Sequence, residues 1–125
     1  MKTKRILVID DEPSITRTIK VTLERSGAYS VHAENHASRA LETARHFHPD
    51  VIFLDVMMPE IDGGHLAAQI KSDPEFQSVP VVFLTAIVTR EETTANGATI
   101  AGHFFIAKPA SLVALTKCIE EFTEE

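Results

Sequence analysis

Four short apolar runs punctuate the chain: Ile6-Leu7-Val8-Ile9, Val51-Ile52-Phe53-Leu54, Val81-Val82-Phe83-Leu84 and Phe104-Phe105-Ile106-Ala107. None alternates with polar residues. A strand with one wet face must alternate, so unbroken runs rich in β-branched and aromatic residues predict strands covered on both faces, as in a parallel sheet between helices. Tyr29-Ser30-Val31-His32-Ala33 alternates weakly and reads as an edge strand.

Helical spacing fills the gaps between these runs. Pro13 suits a first turn, Ile15, Ile19 and Leu23 recur at i, i+4 and i+8, and Gly27 stands where a C-terminal cap would be. The same spacing predicts helices over about 37–46 and 64–71. A last helix starts near Ala110, with a stripe of Leu112, Leu115, Ile119 and Phe122. The fourth crossover, 89–101, is rich in threonine and holds Asn96-Gly97, so a helix there should be short or irregular. Five strands alternating with five helices make a single doubly wound α/β domain, helices on both faces.

With 125 residues, 44% of them hydrophobic, there is material for one core, and disordered, collagen-like and disulfide-rich classes are excluded. The formal net charge of −6 and the lack of a basic cluster beyond Lys2, Lys4 and Arg5 argue against direct nucleic-acid binding. Ile6 to Ile9 is too short for a signal-peptide core or a membrane span, so a cytoplasmic location without membrane contact is expected. Cys118, the single cysteine, sits in an apolar helical pattern and reads as a small buried hydrophobe.

Each buried run ends in a polar residue: Asp10 and Asp11, then Asp55, Thr85 and Lys108. Parallel strands point the same way, so the residues just past their C-terminal ends converge on one crevice. Three carboxylates in one cleft repel each other and call for a cation, and an oxygen-only ligand set selects a hard ion such as Mg²⁺. Lys108 adds a point charge suited to a phosphoryl oxygen. The adjacent Asp10 and Asp11 read as the metal pair, and the solitary Asp55 as a nucleophile that needs no general base. Mg²⁺, Lys108 and the Thr85 hydroxyl would then neutralise charge spread over the phosphoryl oxygens in an in-line transfer.

Asp10-Asp11-Glu12-Pro13, Asp55-Val56-Met57-Met58-Pro59 followed by Asp62-Gly63, Thr85-Ala86 and Lys108-Pro109 together resemble the receiver domain of two-component response regulators. The likeness runs from about Arg5 to about Phe122, so residues 1–125 read as one receiver domain. It implies sheet order 2-1-3-4-5 and an acceptor, Asp55, that takes a phosphoryl group from a histidine kinase or histidine phosphotransfer protein. It also implies Mg²⁺ held by Asp10, Asp11, Asp55 and the Met57 backbone carbonyl, and phosphate bound by Thr85, the Ala86 amide and Lys108.

The resemblance further implies a switch in which Thr85 and Phe105 change packing and alter a docking face for a downstream protein or a fused output domain. Such a domain catalyses its own phosphorylation and dephosphorylation without turning over a separate substrate. Phe105, often tyrosine in the family, lacks the hydroxyl. Met57 and Ile87 flank the family's path for hydrolytic water with apolar side chains, which implies slow dephosphorylation.

Other readings have less in their favour. A phosphorylation-independent pseudo-receiver has no need of all five polar positions. An Asp-nucleophile phosphohydrolase needs an acid or base and a cap that Val56-Met57-Met58 and the chain length do not offer. A mere helix-cap role for Asp10 or Asp11 ahead of Pro13 loses ground once Asp55 and Lys108 stand beside them, whereas Asp62-Gly63 reads as a turn, His32, His36, His46, His48 and His65 as solvated surface, and His103 as opening the fifth run.

Overall fold

A computed structural model describes residues 3–85, 99–100, 103–108 and 111–123. The apolar runs form β1 (Lys4–Ile9), β3 (Val51–Asp55), β4 (Val81–Thr85) and β6 (His103–Ala107), and the alternating segment forms β2 (Tyr29–Glu34). These five strands are parallel in the order β2-β1-β3-β4-β6, as expected, with β2 at the edge. The sheet also carries β5 (Thr99–Ile100), two residues paired antiparallel to β6 where the sequence suggested only crossover. The rest of that crossover lies outside the described residues.

Successive residues of each buried strand divide between two cores. Ile6, Val8, Val51, Phe53, Val82 and Leu84 pack with α1 (Pro13–Glu24) and α4 (Leu112–Thr123) on one face. Leu7, Ile9, Ile52, Leu54, Val81 and Phe83 pack with α2 (Ala40–Phe47) and α3 (Gly63–Ser72) on the other. Burial on both faces is therefore the reason these strands show no polar alternation.

The helix that the spacing starts at Ala37 begins as a 3₁₀ turn, Ala37–Arg39, before α2 proper. Its first amide is claimed from outside, because Ala37 N–H donates to Glu60 Oε1 at 2.9 Å. Gly27 takes a φ of +81°, which lets the chain reverse after α1 into β2. Among the described residues, no helix is long and apolar enough to cross a membrane.

Candidate functional site

The strand ends bring the predicted carboxylates together. Asp10 follows β1 and is fully buried, Asp55 is the last residue of β3 and 4% exposed, and Asp11 is half-buried beside them. One carboxylate oxygen from each lies within 4.8 Å of the others. Lys108, just past β6, reaches into this cluster, with Nζ 2.6 Å from Asp10 Oδ2 and 3.1 Å from Asp55 Oδ1. The four residues come from three separate strands, and only the parallel sheet joins them.

Neither Asp10 nor Asp11 acts as a helix cap. Glu12 is the N-cap of α1 and makes no side-chain cap bond. Asp10 Oδ1 instead accepts the Glu12 amide at 3.0 Å, which fixes the carboxylate inside the crevice. Asn35 Nδ2 donates to the Asp10 carbonyl at 2.8 Å and to Thr16 Oγ1 at 3.0 Å, tying the end of β1 to α1. Asn35 is not singled out by sequence reasoning, because both of its partners are distant along the chain.

After β3 the chain turns under the site. The Met57 amide donates to Asp55 Oδ1 at 3.3 Å, and Met57 pairs with Asp62 in an isolated antiparallel bridge. Asp62 caps α3, accepting the Gly64 amide at 3.3 Å, which agrees with the turn expected there. Gly63 N–H donates to the Val56 carbonyl at 2.8 Å. Met57 is 63% exposed and borders an open hollow of about 430 Å³ lined by Val56, Met58, Pro59 and Asp62.

Charge dominates the chemistry. Burial, together with the neighbouring Asp10 charge, raises the Asp55 carboxyl above its ordinary range, and Lys108 and the Met57 amide only partly oppose this. Burial alone would lower the Lys108 ammonium, but Asp10 and Asp55 outweigh it and the net shift is upward. Three carboxylates against one ammonium leave a deficit of positive charge. Beyond its ion pair with Lys108, the fully buried Asp10 Oδ2 has no hydrogen-bond donor among the described residues. An oxygen-only cluster of three carboxylates, offset by a single ammonium, is a fitting cradle for a hard divalent cation.

Thr85 closes β4 and pairs in register with Ala107, one residue before Lys108. Phe105 lies within β6 opposite Phe83. Ala86, Ile87 and Pro109 lie outside the described residues.

The response regulator receiver domain model matches residues 6–120. The chain belongs to that family. The polar-differentiation response regulator DivK of Brucella abortus is 28% identical over 122 residues, 96% of each chain. Response regulator Rre1 of Synechocystis is 38% identical over 81 residues, and that match takes in 65% of this chain and 35% of Rre1's length. Among solved structures, the chemotaxis protein CheY4 of Vibrio cholerae superposes with a TM-score of 0.81 at 24% identity, covering 97% of this chain and 99% of that one. The N-terminal domain of a response regulator receiver protein from Methanoculleus marisnigri is 33% identical with a TM-score of 0.68, covering 99% of each.

The histidines stay outside the site. His32, His36, His46, His48 and His65 are exposed, although His32 packs against the Phe47 ring at 5.4 Å and His48 pairs with Glu75 at 3.1 Å. His103 opens β6. Cys118 is buried, and its thiol is pushed up to about 12 by burial and by Glu121, so it is inert packing.

Proposed function

We propose that this receiver domain, spanning residues 1–125, accepts a phosphoryl group on Asp55 from a phosphohistidine of a kinase or phosphotransfer protein. A carboxylate oxygen of Asp55 attacks phosphorus in line as the P–N bond breaks, and the imidazole nitrogen leaves with the electron pair of that bond. What carries the reading is the convergence of Asp10, Asp11, Asp55 and Lys108 at the C-terminal ends of β1, β3 and β6.

Asp55 is held as the reacting group by the Met57 amide and Lys108, both on Oδ1. Lys108 is already between two carboxylates, so a phosphoryl oxygen arriving there meets a positioned ammonium rather than one that must be recruited. Asp10, Asp11, Asp55 and the Met57 carbonyl would hold Mg²⁺. Bound there, the ion would neutralise charge on the transferring group. Thr85 and the Ala86 amide would take the remaining phosphoryl oxygens, and Thr85 with Phe105 would relay the change to a face read by a downstream protein or fused output domain. The domain would act in the cytoplasm, away from nucleic acid and membrane.

The test is phosphorylation by a small phosphodonor such as acetyl phosphate. Mg²⁺-dependent label that survives acid, is lost in alkali, and disappears in Asp55→Asn supports the reading. Label that persists in Asp55→Asn places the acceptor elsewhere, and no label in the unsubstituted chain favours a phosphorylation-independent interaction module.

A further inference from the structure

Strand β2 lies at the end of the sheet, so among the described residues one of its sides has no neighbouring strand. On the paired side, the carbonyls of Ala28 and Glu34 accept the amides of Lys4 and Asp10. In a parallel ladder, residues alternate in the side to which both backbone groups point. Tyr29, Val31 and Ala33 therefore direct their N–H and C=O outward, with Val31 at the centre.

Val31 is not left open. Its N–H donates to Glu24 Oε2 at 2.9 Å, its carbonyl accepts from Lys20 Nζ at 2.7 Å, and Lys20 Nζ donates to Glu24 Oε2 at 3.0 Å. A neighbouring strand would offer the same residue one acceptor and one donor, and this i,i+4 pair on α1 supplies both. The Val31 amide and Lys20 together hold the Glu24 carboxyl below its ordinary range.

We propose that the Lys20–Glu24 pair is a plug that closes the β2 edge against strand addition, and that the surface beneath it takes a second copy of the same strand once the plug is gone. The edge is self-complementary. Two copies related by a two-fold axis can run antiparallel with Val31 opposite Val31 and Tyr29 opposite Ala33, so that all three outward-facing residues find partners. Exposed edges of this kind pair with one another unless something blocks them.

The experiment compares the unsubstituted chain with Lys20→Ala/Glu24→Ala by amide hydrogen exchange and sedimentation. In dilute solution the Val31 amide of the double variant should exchange about tenfold faster or more, with Ile6 and Val8 unchanged. On concentration the variant should sediment as a dimer and regain protection at Val31. Adding Ala33→Pro, which removes an outward donor without touching the β1 ladder, should return it to monomer. Equal Val31 exchange with and without the pair would overturn the plug. A variant monomeric at every concentration, or a dimer indifferent to Ala33→Pro, would overturn the pairing.

Discussion

Gly63 starts α3 so close to Asp55 that a β-carbon on the glycine would collide with the Asp55 carbonyl oxygen and stand 2.7 Å from the Val56 Cα. Both neighbours are backbone and cannot rotate away. Gly63→Ala must therefore displace either the helix or the end of β3, at a cost of about 2 kcal/mol by analogy with overpacked cores. Since the end of β3 carries the acceptor, phosphorylation from a small phosphodonor should fall further than stability does. Thermal melts and labelling rates measured on one preparation check this, and a folded variant that labels at the normal rate would separate the glycine from the site.

Mg²⁺ should stabilise the fold through the carboxylate cluster. At a concentration ten times its Kd, a ligand that binds only the folded state contributes about 1.4 kcal/mol, or roughly 5 °C in Tm for a domain of this size. Asp11→Ala should abolish that rise. Lys108→Met should preserve or enlarge it, because Lys108 sits 2.6 Å from Asp10 Oδ2 and opposes a second cation there. Thermal shifts with Mg²⁺ and with chelator distinguish these outcomes without any labelling step.

The strands and the four charged site residues were readable in the sequence for one shared reason. Burial on both faces makes β1, β3 and β4 continuous apolar runs, and the first polar residue after each run marks the sheet edge where the crevice lies. What escaped depends on partners distant in sequence. Asn35 matters because it bonds Asp10 and Thr16, and the 3₁₀ start of α2 follows from Glu60 reaching Ala37. The two-residue β5 is too short for any periodicity to register.

Stability should depend on pH through Glu120, which accepts from Lys4 Nζ at 2.9 Å and from the Tyr29 hydroxyl at 2.7 Å, fastening α4 to β1 and β2. Those two bonds hold its carboxyl below the ordinary 4.5, so the folded state binds this proton less tightly than the unfolded chain does. The stabilisation is full above 4.5 and is lost as pH falls through the lower folded value. Burial, with Glu120 adding to it, pushes the Tyr29 hydroxyl from 10.0 up to about 12, so stability also declines between those values. Glu120→Gln should therefore melt slightly lower than the unsubstituted chain at neutral pH, with the gap closing in acid.

Met57 should set how long a phosphoryl group survives on Asp55. The residue is 63% exposed two positions after the acceptor, and its amide donates to Asp55 Oδ1 at 3.3 Å, so its side chain stands at the solvent side of the acceptor. A thioether can neither orient a hydrolytic water nor take its proton, so the phosphorylated chain should lose label over minutes or longer. Met57→Asn would place an amide there that can orient water without deprotonating it. The gain should fall short of the roughly 10²-fold that a positioned general base supplies, and about tenfold is expected. Following labelled protein after removal of the phosphodonor measures both lifetimes; loss within seconds from the unsubstituted chain, or equal lifetimes in the two, would show that Met57 does not control the water.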